Sequence, residues 1–350
     1  MKNLIEQFLV KELSCHLQPI YTYVESVRHQ ISASAAAVYV IQHDKIIGEW
    51  YSGFHSLSSE QKVQEDSRFN VYSTRKSYIG LATSIAVYEG KIKEIDDLVL
   101  DYLDEERVLL EGTTIRHLVT HTHGLDIKDG KLVRQFSPGE GWDYNNAGLS
   151  LLYKIILQTT SRTVNEILQE NVFKPLQLQE TGWESTEQAN LVCDVLEPTN
   201  EARLSLDDNS GFERNLYVSA RELAHFGYCH LKRGEIGGKQ MVPSALFDMT
   251  TAVQTPIALQ NTPQNGFFWF RNVNNFAQSE IGGNVPKGAY QILGASGCTV
   301  LVIPEYEAVA VRMYNKRGNP PGYDYLQDIK QFGNLVSSLL QESNQSTEVK

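Results

Sequence analysis

The sequence has little of what marks several common classes of protein. It contains only four cysteines in 350 residues, Cys15, Cys193, Cys229 and Cys298, and no two of them form a CxxC pair. Neither a zinc ribbon nor a dense disulfide framework is therefore indicated. No stretch approaches the roughly 20 apolar residues of a membrane-spanning helix, and the N-terminus has no unbroken apolar run typical of a signal peptide. We therefore predict no membrane span and a cytoplasmic location.

Positive charge is also scarce. The chain has 31 Lys and Arg against 42 Asp and Glu, which gives a net charge of -11. An acidic surface disfavours nucleic acid or an anionic membrane as the main partner. Hydrophobic residues make up 41% and charged residues 21%, as in ordinary globular proteins. The length suits one large domain or two interleaved ones, and the oligomeric state stays open.

Apolar spacing divides the chain into β-rich ends and a helical middle. The first 20 residues predict an amphipathic helix, and two β-rich runs in residues 36–51 predict a hairpin. Helices are expected at 76–89, 115–121, 146–159, 163–171 and 220–233. Short strands are expected at 266–271, 289–293, 299–303 and 308–314, and a last helix at 325–340. The polar tail from residue 342 is expected to fray.

Each β region is too small to be stable alone, so we expect both to join one antiparallel sheet. The predicted fold class is α/β (α+β): an antiparallel β-sheet flanked by the terminal helices, with an all-helical second lobe. The sheet lobe would comprise residues 1–75 and 255–350, and the mainly helical lobe residues 76–254. An active site would lie where the two lobes meet.

Ser73 is the first candidate for chemistry. It is followed three residues later by Lys76, at the predicted start of a helix, so the amine can reach the serine hydroxyl. A serine hydroxyl needs a base before it becomes a good nucleophile, and a lysine with a lowered pKa can serve as that base. A helix N-terminus also favours a developing negative charge. The S-x-x-K pattern alone is weak, because about one is expected by chance in such a chain.

Two further segments carry candidate residues. Tyr144 and Asn146 follow a turn rich in proline and glycine, where tyrosine can relay a proton and asparagine can orient a substrate or lysine. The simpler interpretation is that Tyr144 and Asn146 are only turn and cap residues. Residues 294–298 (GASGC) lie between two predicted strands, and their small side chains would let a substrate lie along the strand edge. The simpler reading here is a bulge or tight turn.

The order of these segments resembles the serine β-lactamase and penicillin-binding-protein superfamily. Residues 114–125 (TIRHLVTHTHGL) are similar to the "LLTHTSGL" segment of its class C-like branch. Residues 136–146 (FSPGEGWDYNN) are similar to "F-x-PGE-x-W-x-Y-x-N", and residues 175–181 (PLQLQET) to "PLGM-x-x-T". That branch includes esterases and D-amino-acid peptidases, and the likeness extends from about residue 36 to about residue 314. The resemblance implies the family's two-part fold and a small ester, amide or peptide-like substrate.

The resemblance also implies roles for individual residues. Ser73 would be the acylated nucleophile, Lys76 would accept its proton, and Tyr144 would exchange protons with the leaving group and with water. Asn146 would hydrogen-bond the lysine or the substrate amide. The third motif, residues 294–298, would supply the substrate-binding and oxyanion positions Ser296, Gly297 and Cys298. The backbone N–H groups of Ser73 and Cys298 would be the donors to the oxyanion.

The third motif departs from the family pattern at Ala295, where lysine or histidine is usual. This change favours a neutral ester or amide over penicillin-like substrates, whose carboxylate needs a nearby cation. Four cationic residues could replace the missing charge: Lys287, Arg312, Lys316 and Arg317. The altered motif also motivates an alternative, a non-catalytic or single-turnover penicillin-binding or sensor protein on the same scaffold.

Other side chains are assigned structural roles. His117, His121 and His123 have spacing that a metal site can use, but the family likeness implies that they pack the helical lobe. We therefore predict no metal and no cofactor. The aromatic run 267–270 predicts a buried strand, and a substrate-lining role for one of its residues is the alternative.

Overall fold

The structure is a computed structural model that describes residues 3–274 and 279–348. Its helices follow the amphipathic segments of the sequence, with a one-turn 3₁₀ helix at Tyr72–Thr74 directly before α2 and a π-helical turn at Gln169–Phe173 after α6. In chain order the α-helices are α1 (Gln18–Gln30), α2 (Arg75–Tyr88), α3 (Arg107–Leu110), α4 (Ile115–Val119), α5 (Ala147–Thr160), α6 (Val164–Leu168), α7 (Lys174–Leu176), α8 (Ala220–Leu231), α9 (Ser244–Thr251) and α10 (Tyr325–Glu348).

The strands are short, apart from those at the centre of the main sheet. In chain order they are β1 (Val10–Lys11), β2 (Ala35–Gln42), β3 (Lys45–Gly53), β4 (Arg68–Asn70), β5 (Leu125–Lys128), β6 (Lys131–Arg134), β7 (Thr181–Trp183), β8 (Asp194–Leu196), β9 (Glu201–Arg203), β10 (Leu216–Ser219), β11 (Glu235–Ile236), β12 (Lys239–Gln240), β13 (Phe270–Arg271), β14 (Tyr290–Leu293), β15 (Thr299–Ile303), β16 (Ala308–Tyr314) and β17 (Lys316–Arg317).

Both ends of the chain contribute to one seven-stranded sheet, in the order β1-β3-β2-β16-β15-β14-β13. The N-terminal hairpin β2–β3 meets the C-terminal strands where β2 pairs antiparallel with β16, with Val38 opposite Arg312. Neighbouring strands are antiparallel except β1 and β3, which are parallel. The fold class predicted from the sequence is confirmed, and solved structures of similar fold are described below.

The sheet is buried on both faces. All eight residues of β2 are buried, and alternate side chains point to opposite sides, as the two-residue period of a strand requires. Val38 and Val40 belong to the apolar cluster that includes residues of α1 and α10, whereas Tyr39 and Ile41 belong to the cluster that includes α2 and α8. Gly227 of α8 lets that helix approach closely, because a Cβ there would lie 2.7 Å from Val309 Cγ1.

The predicted N-terminal helix is wrong. Residues 5–7 form a single 3₁₀ turn, β1 (Val10–Lys11) joins the sheet edge, and the first α-helix begins only at Gln18. Hydrogen bonds explain this: Val10 N donates to Asp44 O at 3.1 Å and Glu12 N donates to Ile46 O at 2.9 Å. Pairing to an open sheet edge therefore satisfies backbone groups that a helix would have paired internally.

Smaller differences concern element ends. The strand expected at 266–271 is regular only at Phe270–Arg271. The tail expected to fray from residue 342 continues α10 to Glu348, and residues 349 and 350 lie outside the described ones. The middle of the chain is mainly helical but also contains short β pairs, such as β5–β6 and β11–β12. The lobe boundaries at 75 and 255 stay a prediction. Within the described residues, no helix is both long enough and apolar enough to cross a membrane.

Candidate active site

Ser73 lies in the turn that joins β4 to α2. The 3₁₀ turn Tyr72–Thr74 runs directly into α2, so Ser73 is held at the N-terminal end of that helix. Tyr72 has a φ of +46°, which is unusual for a bulky side chain, and its N–H donates to Asn70 Oδ1 at 3.1 Å. Backbone strain of this kind is often found beside functional residues. The turn leaves the Ser73 side chain facing a cavity.

Lys76 links the two other predicted catalytic residues. Its side chain is almost completely buried, and Nζ lies 3.1 Å from Ser73 Oγ and 2.7 Å from Tyr144 OH. Burial lowers the pKa of Lys76 well below its usual value, and the positive charges of Arg75 and Arg214 lower it further. The site thus favours a neutral amine, which can accept a proton from the serine.

Tyr144 keeps its proton in the resting site. Burial raises the pKa of its hydroxyl, against the opposing effects of a hydrogen bond from Ser73 and the charges of Arg75 and Arg214. Its residue surface is 38% exposed because the ring lines the cavity. A protonated phenol beside a neutral amine can donate a proton to a leaving group.

The loop that carries Tyr144 is fixed by side-chain and ring contacts. Asn145 Nδ2 donates to Leu125 O at 2.8 Å, and Asp143 N donates to His121 O at 2.9 Å. The His121 ring packs against Tyr144 with ring centroids 4.7 Å apart. Neither nitrogen of this buried imidazole has a hydrogen-bond partner in the described part of the chain. Burial lowers the pKa of His121 well below its usual value, so the ring is neutral.

Asn146 lies two residues after Tyr144, at the N-cap of α5, and its side chain makes no capping bond. Its Oδ1 atom is buried and has no hydrogen-bond partner among the residues described. The contact with Lys76 that the family resemblance implies is not among the hydrogen bonds of the site. Asn146 is not among the residues that line the cavity beside Ser73, so the substrate-binding role expected for it stays a prediction.

The loop at residues 294–298 approaches the nucleophile through its backbone. A Cβ at Gly294 would overlap the Val71 carbonyl oxygen and lie 3.3 Å from Thr74 Oγ1, so only glycine allows this contact with the Ser73 turn. Gly297 has a φ of +86° and its N–H donates to Gly294 O at 2.9 Å, which closes a tight turn.

The side chains of Ser296 and Cys298 point away from the cavity. Ser296 Oγ donates to Asn70 O at 3.2 Å, and Cys298 Sγ lies 3.4 Å from Tyr314 O. Burial raises the pKa of the Cys298 thiol to about 11, which leaves it unreactive at neutral pH. Only backbone groups of these residues can therefore contact a substrate, while Gly294 and Ala295 line the cavity.

The cavity beside Ser73 has a volume of about 600 Å³ and a mainly apolar lining that includes four aromatic residues. It includes Phe270, so one residue of the aromatic run predicted as a strand is exposed to a ligand. Sequence reasoning did not assign a cavity role to Trp142, Glu280, Leu293, Tyr325 or Leu326. Trp142 lies in a segment used for the family resemblance, but the sequence around Glu280 carries no motif. The lining residues are Ser73, Trp142, Tyr144, Phe270, Glu280, Leu293, Gly294, Ala295, Arg317, Gly318, Asn319, Tyr325 and Leu326.

Among the four cationic residues considered above, only Arg317 lines this cavity. Arg312 is fully buried and pairs with Asp328, with 3.0 Å between Nη1 and Oδ1. Lys316 is also buried, and its Nζ lies 2.7 Å from Glu197 Oε2. Lys287 is exposed and lies outside the cavity lining.

The three histidines that suggested a metal site make separate contacts. His117 Nδ1 lies 3.1 Å from Thr114 N and helps to cap α4, whereas His123 Nδ1 accepts from Leu125 N at 3.0 Å. His121 packs against Tyr144 as described. In residues 3–274 and 279–348, no three metal-binding side chains are close enough to share an ion.

Comparison with known proteins places this chain in a family. The β-lactamase family profile matches residues 21–331, and the chain belongs to that family. An uncharacterized protein of Alkalihalophilus pseudofirmus is 41% identical over 334 residues, which cover 95% of this chain and 99% of that protein. Esterase EstB of Burkholderia gladioli is 26% identical over 199 residues, which cover 47% of this chain and 50% of the esterase.

A solved structure supports the fold at low sequence identity. EstCE1, a hydrolase with promiscuous acyltransferase activity, matches with a TM-score of 0.72 and 18% identity. The match covers 92% of this chain and all of that one. Relatives and structural neighbours of the chain thus include hydrolases, and the aligned part of the named esterase is about half of its length.

Proposed function

We propose that this protein is a serine hydrolase that cleaves an ester or amide bond through an acyl-enzyme on Ser73. The observation that carries the proposal is the position of one buried amine, Lys76 Nζ, within hydrogen-bond distance of both Ser73 Oγ and Tyr144 OH. Such an arrangement joins a nucleophile, a base and a proton donor in one chain of contacts.

In the first half of the reaction, neutral Lys76 takes the Ser73 proton as Oγ attacks the substrate carbonyl carbon. The backbone N–H groups of Ser73 and Cys298 stabilise the oxyanion, since the close approach at Gly294 brings their two loops together. Tyr144 gives its proton to the departing alkoxide or amine and regains one from Lys76. The C–O or C–N bond of the substrate breaks and an ester to Ser73 remains.

In the second half, water attacks this ester while the Tyr144–Lys76 pair accepts its proton. The Ser73–acyl bond breaks, the acid leaves, and Ser73 regains a proton. Ala295 supplies no cation for a carboxylate next to the scissile bond, and the guanidinium of Arg317, which lines the cavity, lies over the Tyr72 ring at 5.4 Å from its centroid. An ester or amide without that carboxylate is therefore the favoured substrate.

A chromogenic butyrate ester and a chromogenic cephalosporin, each tried on wild type and Ser73→Ala, test the proposal. We expect wild type to hydrolyse the ester, Ser73→Ala to be inactive, and rapid quenching to trap an acyl adduct on Ser73 by mass spectrometry. Turnover that survives in Ser73→Ala would overturn the proposal. An adduct that forms without turnover would instead favour the single-turnover binding protein.

A further inference from the structure

The cavity beside Ser73 contains a carboxyl group that the proposed mechanism does not use. Glu280 lines the cavity, and its Oε2 atom is buried with no hydrogen-bond partner in the described chain. A buried polar atom without a partner costs about 1–3 kcal/mol, more for a charged group. A group held at such a cost in a ligand cavity is a candidate for ligand recognition.

The protein fixes the position of Glu280 through its backbone. Gln291, which is fully buried, donates from Nε2 to Glu280 O at 3.0 Å. The next residue, Ile281, is buried, and a Cβ at Gly282 would overlap the Lys330 carbonyl oxygen of α10. The carboxyl is therefore presented from a loop packed tightly on a helix.

Aromatic rings line the same cavity. Tyr144 and Phe270 are stacked, with centroids 6.4 Å apart, and Trp142 lies 6.4 Å from Phe270. The faces of such rings attract cations, most strongly where water is excluded. The net charge of -11 also raises the local concentration of cationic molecules.

Near neutral pH the Glu280 carboxyl is close to a balance between its protonated and ionised forms. Burial raises the pKa of Glu280 to about 7, and the charge of Lys330 on α10 partly opposes this. Glu280 in turn raises the pKa of Tyr144, and Arg317 lines the same cavity. A cation that enters the cavity would stabilise the carboxylate form and gain an unpaired acceptor.

We infer that this cavity binds a cationic amino group carried by the substrate, with Glu280 as its anionic partner and the rings of Trp142 and Phe270 against it. The inference rests on the proposed function, because it assigns the substrate class of the same site. Ala295 favours a substrate without a carboxylate next to the scissile bond, and Glu280 changes the expectation of a neutral substrate to one whose ester or amide carries a positively charged tail. Glu280 is then a specificity-determining residue.

Two matched esters test the inference. One is the nitrophenyl ester of γ-(trimethylammonio)butyric acid, and the other is its isostere with carbon in place of nitrogen. The quaternary group does not titrate, so any pH dependence of the preference comes from the protein. Because both esters react in the same way at Ser73, the ratio of their kcat/KM values reports only the recognition of the cation. We expect wild type to prefer the cationic ester by about tenfold or more near pH 8, with the preference declining as pH falls through about 7.

Glu280→Gln is the variant to compare, with Glu305→Gln as the control for net charge, since Glu305 is exposed and lies outside the cavity. We expect Glu280→Gln to bring the ratio of the two kcat/KM values close to one, whatever its effect on the chemistry that the two esters share. Equal loss of both activities would overturn the inference, because the carboxyl would then serve the chemistry or the fold. A wild type without preference for the cation would overturn it as well.

A binding measurement separates this inference from the proposed hydrolysis. Butyltrimethylammonium is titrated calorimetrically into Ser73→Ala with and without Glu280→Gln. We expect the affinity to fall by about tenfold when the carboxyl is removed. If neither ester is hydrolysed but this loss occurs, the proposed function fails and the cation site stands. Unchanged affinity, or no binding in either protein, would refute the cation site even if the esters are turned over.

Discussion

The Lys76 amine lies among positive charges, and no carboxylate in residues 3–274 and 279–348 makes an ion pair with it. Arg75 is its neighbour on α2, and Arg214 acts on it from the segment before β10. Two nearby guanidinium groups and near-complete burial all oppose protonation of the lysine. The surroundings of Lys76 thus lower its pKa before any substrate binds.

Arg214→Gln should move the pH profile of the proposed reaction. Lys76 acts as a base only when neutral, so the acidic limb of kcat/KM follows its pKa. Removing a positive charge raises that pKa, and the limb should shift upward by about 0.3–1 pH unit, less at high salt. Arg203→Gln is the matched control, because Arg203 is also exposed but does not act on Lys76. A limb that stays in place or moves downward would contradict the role of Arg214.

Tyr144→Phe should separate proton transfer from packing. The ring contacts with His121 and Phe270 stay in this variant, while the hydroxyl 2.7 Å from Lys76 Nζ is lost. We expect kcat/KM for an ester to fall by about 10²–10⁴-fold with little change in Tm. Stopped-flow acylation and a thermal melt measure the two effects. Near-normal acylation would show that Tyr144 has no part in the proton path.

At the scale of elements, the site depends on two loops that glycine allows to touch. The hairpin loop between β14 and β15 rests against the turn that carries Ser73, and Ser296 Oγ ties it to Asn70 O at 3.2 Å. Any change in this contact moves the proposed oxyanion donors relative to the nucleophile. Small displacements of such donors are costly in catalysis.

Gly294→Ala should therefore reduce activity in a protein that still folds. The added methyl group overlaps the Val71 carbonyl oxygen, and overpacking of this kind costs about 1–3 kcal/mol. We expect kcat/KM to fall by about 10–100-fold while the protein remains folded. Gly283→Ala is the control, because a Cβ there meets nothing within 4 Å. Equal activities of the two variants would count against the role of the loop contact.

A second interaction between elements joins the terminal helices to the sheet. Asp328 on α10 pairs with Arg312 on β16, and it also accepts hydrogen bonds from Tyr23 of α1 and from Tyr323, each at 2.6 Å. Asp328→Asn would leave the buried Arg312 charge uncompensated, at a cost of about 3–5 kcal/mol. Urea unfolding measures this loss. Asp324→Asn, an exposed change at the start of the same helix, should be nearly neutral.

At the scale of the whole molecule, the central strands were the most predictable part. The bounds expected for β15 and β16 agree with the structure, because runs such as Thr299–Ile303 are buried and rich in β-branched side chains. The N-terminal segment could not be predicted in the same way. Its apolar spacing fits a helix, whereas pairing of Val10 with Lys45 depends on an edge formed elsewhere in the chain.

The same limit applies to the site. Ser73, Lys76 and Tyr144 could be named in advance because each lies in a local motif. Glu280 could not, since its position depends on Gln291 in β14 and on the packing of Gly282 against α10. No pattern within its own segment indicates that a carboxyl faces the cavity. The proposed specificity of the site depends on long-range packing, which sequence spacing does not reveal.

The unpaired carboxyl should also lower the stability of the molecule as pH rises. The folded pKa of Glu280 is about 7, above its ordinary value of 4.5, so the folded state holds this proton more tightly than the unfolded chain. The penalty is absent below about pH 4.5, grows up to about pH 7 and is complete above it. Glu280→Gln should therefore stabilise the protein by about 1–3 kcal/mol near pH 8 and by little near pH 4.5.

Urea unfolding of wild type, Glu280→Gln and Glu305→Gln at these two pH values measures the difference. We expect the gain only for Glu280→Gln and only at the higher pH, because Glu305 is exposed to solvent. A gain of the same size at both pH values would mean that packing, and not ionisation, is responsible. Together with loss of cation preference, the expected result would show that the protein accepts lower stability at neutral pH to hold a recognition group in its cavity.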